Sequence, residues 1–224
     1  MSSLDDARKG ISTCYTDCVP DRSGREEDRQ SLRAEQVRQT RAALVAAGRR
    51  LFGQDGFAGT SVEDLAREAR VTTGALYHHF PNKTALFETV LEGVHAELLK
   101  ASHRAAAGAS DELEALSLGF EAFLDGVLEP DVQQILVTDA PAVLGLARFT
   151  ELDERYAFAE IVAALQAATA AGSLSVEDPE TVARMLLGAL VRGGMLIAGS
   201  AEPAKTRDAV ARAIRAMLAG LAKG

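Results

Sequence analysis

Residues 60–83 of this 224-residue chain read TSVEDLAREARVTTGALYHHFPNK, and this stretch decides the fold. A cap at Thr60 or Ser61, with an acidic residue three positions on, precedes apolar residues at the spacing of one helix face: Val62, Leu65, Ala66 and Ala69. A second short helix begins after a cap at Thr72 or Thr73, Pro81 ends it, and Asn82 caps a third. Two short helices joined by a tight turn are typical of a helix-turn-helix DNA reader.

The same stretch resembles the TetR family of bacterial transcriptional regulators, whose recognition helix has the form TxGALYHHF followed by an NK pair. The resemblance covers roughly residues 42–88, about a fifth of the chain, and depends on these residues in this order: Phe52, Gly56, Phe57, Thr60, Leu65, Ala66, Gly74, Leu76, Tyr77, Phe80 and Lys83. It implies a small DNA-binding domain joined to a larger helical domain that binds a small-molecule effector and forms a homodimer.

The distribution of charge agrees with a DNA reader placed before an acidic body. The formal net charge of −8 divides into −2 for residues 1–35, +3 for residues 36–83 and −9 for residues 84–224. Positive charge is therefore concentrated where the helix-turn-helix pattern lies, and the rest of the chain would be repelled by the phosphate backbone. Without the motif, a net charge of +3 over these residues would also fit the ordinary variation of charge on a protein surface.

The chain is predicted to be all-α, with three parts: a flexible polar extension (residues 1–34), the helix-turn-helix domain (35–83) and a helical effector-binding and dimerisation domain (84–224). Residues 1–34 lack an apolar stripe and turn helical only toward Ser31. From Gln36 onward apolar residues recur three and four apart. Cys14 and Cys18 would share a helix face, yet no third ligand lies nearby, so two ordinary thiols are favoured over a metal site.

Composition bears on the compartment and on membrane contact. The longest uncharged run, residues 161–176, falls short of the ~20 apolar residues that a bilayer crossing requires. The first ten residues lack the apolar core of a signal peptide. Two cysteines do not form a disulfide framework. We therefore expect a cytoplasmic protein without a membrane partner, a cofactor or a metal.

The resemblance assigns roles to residues of the reader. The exposed front of the recognition helix would contact bases and phosphates through Thr73, Gly74, Ala75, Tyr77 and His78. Lys83 is the principal phosphate candidate, since a helix N-terminus adds positive potential beside its ammonium group. The remaining DNA-contact candidates, each with a plain capping or solvated role as its alternative, are Thr60, Ser61, Thr72 and Arg41. No Arg or Lys lies between Val71 and Pro81, so operator shape is expected to contribute to specificity.

Two further sites are expected in the body. Polar residues set in apolar helix faces are the effector-pocket candidates, with surface or interdomain pairing as the alternative: Thr138, Asp139, Arg148, Tyr156, Gln166 and Arg192. Few aromatic residues and no Trp predict an aliphatic pocket for a hydrophobic or amphipathic effector. The last two helices would carry the dimer interface through Val182, Leu186, Ala189, Leu190, Gly193, Ile197, Val210, Ile214, Met217 and Leu221, unless these residues pack within one subunit.

Together these features predict a ligand-responsive transcriptional regulator, a repressor, that binds a near-palindromic operator as a homodimer and is released by a small molecule. The sequence leaves activation open. One alternative is a constitutive DNA-binding protein without an effector. The other is a helical enzyme that uses Asp139, Asp153, Glu154 or His95 for acid–base chemistry. No nucleophile motif, metal-ligand spacing or phosphate-binding glycine loop supports the enzyme.

Overall fold

The computed structural model describes the backbone of residues 22–222 and the side chains from Ser31 onward. Within this range the regular structure is helical, which confirms the predicted all-α fold. The helices are α1 (Arg22–Gly59), α2 (Val62–Glu68), α3 (Thr73–His79), α4 (Lys83–Ala106), α5 (Glu112–Gly126), α6 (Pro130–Val132), a π-helical segment (Gln133–Asp139), α7 (Ala140–Ala170), α8 (Pro179–Ala198) and α9 (Pro203–Ala219). Cys14 and Cys18 lie outside the described residues, so their role stays a prediction.

The start of α1 differs from the expectation for the polar extension. The helix is already formed at Arg22, well before Ser31, because Arg, Glu and Gln are good helix formers even without an apolar stripe. The chain divides into two units after Gln39. In the first, Glu35 accepts hydrogen bonds from Arg38 and Gln39. The second unit is Thr40–Gly224 and contains the helix-turn-helix and the helices that follow it. The predicted domain boundary between residues 83 and 84 stays a prediction.

The capping residues are those that the sequence indicates. Ser61 caps α2 in a reciprocal capping box with Asp64, and the Thr72 hydroxyl accepts the backbone N–H of Ala75 at 3.1 Å. The Asn82 side chain accepts the N–H of Ala85 at 2.8 Å. These caps fix where α2, α3 and α4 begin, and so they fix the geometry of the helix-turn-helix.

A turn at Gly56 separates the last residues of α1 from the main body of that helix. Gly56 has φ 73° and ψ 169°, a conformation that glycine adopts without steric cost. A Cβ added there would lie 3.0 Å from Nε2 of Gln134 in the π-helical segment. Phe57 follows, and its ring packs 5.8 Å from that of Phe52 and 5.3 Å from that of Phe87. The glycine backbone conformation and the aromatic packing together hold this turn against α4.

Two apolar clusters form the core of the second unit. The first joins α1, α2 and α3 to the N-terminal part of α4, the π-helical segment and the start of α7. The second lies between α5, α7, α8 and α9. We call residues 40–83 the reader and residues 84–222 the body. Because the first cluster contains residues of both, the reader packs on the body through a shared apolar core.

By length and composition alone, helix α8 is long and apolar enough to cross a membrane, which was not predicted from the sequence. Its 20 residues, Pro179–Ala198, have a mean hydropathy of 1.5 over an 18-residue window. Its buried side carries Ala183, Leu186 and Leu190 and packs in the second apolar cluster. A core helix of a helical bundle has the same length and composition, so this finding is weak evidence for membrane contact.

Candidate nucleic-acid interface and effector cavity

The turn between α2 and α3 sets the angle at which the recognition helix is presented. Arg70 adopts the left-handed conformation, with φ 57°. The N–H of Val71 then reaches back to the carbonyl of Ala66 at 2.9 Å, as in a Schellman motif. The side chains of Leu76, which is fully buried, and Phe80 anchor α3 on the apolar core. The other side of α3 is therefore turned to solvent.

The exposed face of α3 contains most of the residues that were predicted to touch DNA. Thr73, Gly74 and His78 are exposed, and Tyr77 is 54% exposed. Ala75 is half-buried. A Cβ built on Gly74 would meet only the Thr72 hydroxyl, at 3.8 Å, so the fold itself does not require glycine at this position. A missing side chain here leaves room for close approach from outside the protein.

The hydroxyl groups at the start of α2 are used inside the protein. Thr60 is 2% exposed and donates its hydroxyl hydrogen to the carbonyl of Gly56 at 2.8 Å. Ser61 donates to the Asp64 carboxylate at 2.5 Å and accepts the backbone N–H of the same residue. The prediction that Thr60 contacts DNA is therefore corrected, because its side chain is buried. Thr72 also caps, yet it remains exposed.

The side chain of Lys83 is turned toward the segment between the Gly56 turn and α2. Its ammonium donates hydrogen bonds to the carbonyls of Phe57, at 2.7 Å, and Thr60, at 2.8 Å. The same nitrogen lies 4.1 Å from the centre of the Phe57 ring, a cation–π contact. Lys83 therefore connects the start of α4 to the Gly56 turn and closes the gap before α2. A phosphate contact from its remaining N–H stays a prediction.

Few cations of the reader are available to a partner. Arg49 pairs with Glu97 and Asp131, at 3.4 and 3.0 Å, and Arg50 pairs with Glu68, while Arg67 pairs with Asp64 within α2. Among the described side chains, two exposed arginines of the reader make no ion pair: Arg41 and Arg70.

These two arginines flank α3 in different ways. Arg41 lies 4.9 Å from the Phe80 ring centre and donates to the Thr89 hydroxyl at 3.3 Å. Arg70 lies in the turn that immediately precedes α3. Sequence reasoning missed Arg70, although a basic residue directly before the recognition helix is a signal that could have indicated a phosphate contact.

Two polar contacts involve residues predicted to touch an effector: one joins the reader to the body, and the other lies within the body. The backbone N–H of Phe57 donates to the Asp139 carboxylate at 2.7 Å, at the end of the π-helical segment. On α4 the Glu88 carboxylate accepts hydrogen bonds from Arg148 of α7, and Glu151 pairs with the same guanidinium at 2.7 Å. Asp139, predicted as an effector contact, thus connects the body to the reader, in agreement with the interdomain alternative. Arg148, also predicted as an effector contact, instead pairs within the body with Glu88 and Glu151.

A cavity of about 180 Å³ lies in the body between α4, α5, α7 and α8. Its wall is mostly apolar, with Leu98, Leu116, Ile161, Leu187 and Leu190 among the lining side chains. Phe120, Phe123 and Tyr156 add aromatic rings, so the lining is apolar as predicted but includes aromatic as well as aliphatic side chains. His103 and Glu160 approach to 3.3 Å and are each more than half exposed, which places them on the solvent side.

Two buried polar side chains line this cavity. His95 is 4% exposed, its ring is stacked at 5.2 Å on that of Tyr156, and its Nε2 has no hydrogen-bond partner among the described residues. Burial lowers the pKa of His95 to about 4. Asp153 is 6% exposed, and burial, with a smaller effect of the neighbouring Glu154 charge, raises its pKa to about 7. The cavity therefore combines apolar walls with two polar groups that lack partners among the described residues.

Of the predicted effector contacts, only Tyr156 lines the cavity. Thr138, Gln166 and Arg192 are exposed on the surface, because their positions fall on the outer sides of their helices. His95 and Asp153 were considered only as acid–base candidates for an enzyme. Their signal was present in the sequence: His95 falls within the apolar face formed by Leu91 and Leu98, where a polar residue needs an explanation.

The predicted dimer stripe lies largely inside the single chain. The structure buries Leu186, Leu190, Gly193, Ile197 and Ile214 in the second apolar cluster or against its neighbours, and it leaves Val182, Ala189, Val210 and Leu221 half-buried. The long apolar side chains that are exposed on these two helices belong to Met185, Met195, Leu196 and Met217. Of the predicted set only Met217 is exposed, so most of the stripe packs within one subunit.

Comparison with known proteins identifies the family. Residues 44–90 match the family described as bacterial regulatory proteins, tetR family, and residues 113–221 match the tetracyclin repressor-like C-terminal domain. A TetR-family transcriptional regulator from Pectobacterium atrosepticum is 30% identical in sequence, with a TM-score of 0.76 over 85% of this chain and 97% of that chain. The chain belongs to the TetR family of transcriptional regulators. The enzyme alternative is thereby set aside, since the members matched are regulators.

Other TetR-family relatives match over smaller parts or at lower identity. A probable transcriptional regulator from Pseudomonas putida, ArpR, is 40% identical over 83 residues, which are 37% of this chain and 38% of the relative. The chain thus spans less than half the length of the first curated relatives that it matches. The structure of RolR in complex with resorcinol has a TM-score of 0.67 at 18% identity, covering 82% of this chain and 89% of RolR, a likeness of fold alone.

Proposed function

We propose that this TetR-family regulator is a ligand-responsive repressor that binds a near-palindromic operator as a homodimer and is released when a small molecule enters the body. The observation that carries the proposal is the pairing of an exposed recognition helix with a body cavity in one packed unit. The Phe57–Asp139 hydrogen bond connects the reader to the π-helical segment. That segment contributes Leu136 to a small second void, which Asp153 also lines.

Operator contact is proposed for the exposed side of α3 and its flanks. Thr73, Gly74 and Ala75 would face base edges, while Tyr77 and His78 would reach the phosphate backbone. The exposed hydroxyl of Thr72 and the guanidinium groups of Arg41 and Arg70 would add phosphate contacts. The helix contributes no basic side chain before its last turn, so sequence preference would come partly from the shape and deformability of the operator.

Dimerisation is proposed through the outer faces of α8 and α9. Met185 is 72% exposed, Leu196 47% and Met217 53%, which is unusual for such large apolar side chains on helices that also supply the core. A reader with one recognition helix per chain needs a second copy to contact two half-sites. A two-fold dimer would bury these side chains and present two α3 helices to successive turns of the duplex.

The effector step is proposed as a shift between two arrangements of body and reader. A ligand that fills the cavity would move α4 or α7, and both helices also bear contacts near the reader, Glu88 and Arg148. Typical couplings between two such sites amount to ~1–3 kcal/mol. RolR, which shares the fold, was crystallised with resorcinol, and a compound of similar size would fit a cavity of this volume. A regulator of this kind would act in the cytoplasm.

The test uses the intact protein and the DNA upstream of its own gene. Fluorescence anisotropy should show binding whose affinity falls steeply with salt, because arginines and helix N-termini contact phosphates. Met217→Glu should reduce both the dimer fraction in sedimentation and the operator affinity, since it places charge in the proposed interface. Leu146→Glu, at an exposed apolar position of α7 outside the proposed interface, is the matched control. A monomeric wild-type protein without affinity for any duplex would overturn the proposal.

A screen of small molecules against the protein–DNA complex separates the two remaining possibilities. Release by one class of compound supports a ligand-responsive repressor. Operator binding that no compound changes, although compounds occupy the cavity in a direct binding assay, would instead indicate a constitutive DNA-binding protein. The cavity and its unpartnered polar groups favour the responsive regulator.

A further inference from the structure

The Asp153 carboxyl group is the most unusual group of the cavity. Among the described residues, no side chain or backbone group donates a hydrogen bond to it, and no Lys or Arg pairs with it. It is nevertheless 6% exposed and lines both the main cavity and the small void beside it. A buried carboxyl without a partner costs stability, so its position suggests a group that arrives from outside.

The surroundings of Asp153 contain acidic and neutral groups but no fixed cation among the residues that the structure describes. From α4 the titratable groups are His95, which burial keeps neutral with a pKa of about 4, and His103, which pairs with Glu160 at the solvent side. From α7 itself Tyr156 and Glu160 line the cavity, and Glu154 lies next to Asp153 along the helix.

The other elements packed around Asp153 face it with apolar residues. In the cavity and the adjoining void, α5 contributes apolar side chains and Gly119, and α8 contributes leucines, Val191, Gly194 and Met195. The π-helical segment contributes Leu136 and Val137. A positive charge placed in the cavity would therefore meet Asp153 without a competing cation from the described part of the chain.

We propose that the effector is a small amphipathic ammonium compound, with its charged nitrogen at the Asp153 carboxylate and its apolar part against the leucine and phenylalanine walls. This inference rests on the proposed function, because it names the chemical class of the molecule that the regulator responds to. It goes further than a hydrophobic or amphipathic effector, since it assigns the sign of the charge and the residue that recognises it.

The size and chemistry of the cavity agree with one aromatic ring and a short chain. An apolar cavity of about 150 Å³ holds a benzene molecule, and the present volume is slightly larger, about 180 Å³. Phe120, Phe123 and Tyr156 line the cavity, and aromatic rings attract a nearby cation. The free Nε2 of His95 can accept a hydrogen bond from an ammonium N–H when the imidazole is in the matching tautomer.

Recognition of the ligand charge by Asp153 makes the affinity for the ligand depend on pH. In the free protein the pKa of this carboxyl is raised to about 7 by burial, so the group is mostly protonated at lower pH. An ammonium ion binds the ionised form and must displace that proton. The affinity should therefore rise about tenfold from about pH 6 to about pH 8, in proportion to the ionised fraction, while the ligand itself stays protonated. A neutral ligand would show little of this dependence.

The experiment compares four ligands of nearly equal shape by isothermal titration calorimetry with the full-length protein and no DNA. They are 2-phenylethylammonium, 2-phenylethanol, n-propylbenzene and 3-phenylpropionate. The ammonium compound is expected to bind at least tenfold tighter than the other three at about pH 8. At about pH 6 its binding enthalpy should also depend on the ionisation enthalpy of the buffer, because close to one proton is released there. This last measurement needs no variant.

Two carboxylate variants make the assignment specific. Asp153→Asn should remove the preference for the ammonium compound and its pH dependence, while binding of n-propylbenzene is retained. Glu154→Gln is the matched control, since this neighbouring carboxylate does not line the cavity and is 3.5 Å from Arg184. It should keep the preference and move the pH midpoint slightly downward, because the repulsive charge is removed. His103→Gln breaks the His103–Glu160 pair on the solvent side of the cavity. It should leave the pH dependence of ammonium binding unchanged.

The outcomes separate this inference from the proposed function. Equal affinity for the ammonium compound and n-propylbenzene, tighter binding of 2-phenylethanol or 3-phenylpropionate, or an unchanged preference in Asp153→Asn would overturn the ammonium assignment. Such results would leave a ligand-responsive repressor intact. If ammonium compounds bind as expected but never release operator DNA, the effector role proposed above fails, and the cavity remains an ammonium-binding site.

Discussion

Replacement of Lys83 by Met tests how the reader is held together. The ammonium group donates to two backbone carbonyls, of Phe57 and Thr60, and lies over the Phe57 ring. Hydrogen bonds to a charged donor contribute about 1.5–3 kcal/mol each, and an exposed cation–π contact about 0.5–1 kcal/mol. The site is half-buried, so water can replace part of these interactions. We expect the free energy of unfolding to fall by about 2–4 kcal/mol.

The measurement is urea denaturation followed by far-UV circular dichroism, at one fixed protein concentration because the proposed dimer would contribute to stability. Lys100→Met is the matched control, since this lysine lies on the same helix and is exposed. A decrease no larger than that of the control, or below about 0.5 kcal/mol, would refute the structural role of Lys83.

The same variant also tests the predicted phosphate interaction. If Lys83 reaches DNA, the slope of the logarithm of affinity against the logarithm of salt concentration should decrease by about 0.9 for each phosphate that the lysine no longer neutralises. If it only supports the fold, affinity measured well below the unfolding transition should keep the wild-type slope. The two results assign the lysine to one role or to both.

Three further predictions follow from single groups. Arg70→Gly should stabilise the protein by about 1 kcal/mol, because a non-glycine residue in the left-handed region is strained; it should also lower the salt slope of operator binding, and unchanged binding would exclude a phosphate contact. Asp139→Ala leaves the Phe57 N–H without its acceptor, so unfolding by urea should be easier by about 1–3 kcal/mol and the effector should change operator affinity less, in anisotropy titrations with and without ligand. The two buried titratable groups, Asp153 and His95, have opposite effects on how stability changes with pH. The raised pKa of Asp153 adds stability below about pH 4 that is lost as pH rises through 7, whereas the lowered pKa of His95 adds stability above about pH 6.5 that is lost as pH falls through 4. Asp153→Asn should therefore show stability that rises between about pH 4 and 6.5 in thermal melts, and a wild-type curve steeper than that of the variant in this range would contradict the assignment.

The local structure of the reader could be predicted because it depends on short-range chemistry. A serine or threonine before an apolar run, an asparagine after a proline and a glycine–phenylalanine pair each limit the backbone to few conformations. Ser61, Thr72 and Asn82 accordingly cap the helices that they were predicted to cap. Gly56, one of the residues on which the resemblance depends, forms a turn with positive φ.

The proposed dimer face does not follow from apolar periodicity, and the reason is physical. Periodicity identifies the side of a helix that is buried, but a helix between a core and a partner has two buried sides. In α8 the stronger stripe, with Leu186 and Leu190, packs inside the subunit. The weaker stripe of Met185 and Leu196 is interrupted by Arg192 and Gly188, so it was overlooked. Exposure of large apolar side chains is information that only the tertiary structure provides.

The polar lining of the cavity was missed for a related reason. Thr138, Gln166 and Arg192 were predicted as effector contacts because they are polar residues on apolar helix faces. They lie at the edges of these apolar stripes and point to solvent. His95 and Asp153 lie at the centres of the apolar stripes of α4 and α7. Whether such a residue meets a protein partner, water or a cavity depends on which helices face it, and the order of residues along one helix does not contain this information.

The charge of the reader shows why net charge predicts DNA binding better than it predicts DNA contacts. Most of its basic side chains pair with carboxylates of the same chain, as Arg49 does, or donate hydrogen bonds to its carbonyls, as Lys83 does. What remains near α3 is a small number of arginines, the exposed hydroxyl of Thr72 and the partial positive charge of helix N-termini. On the proposed function, such a surface would give modest, salt-sensitive affinity per subunit. Tight operator binding would then require two readers at a fixed spacing, and a ligand that alters the spacing by a small movement would release DNA without touching α3.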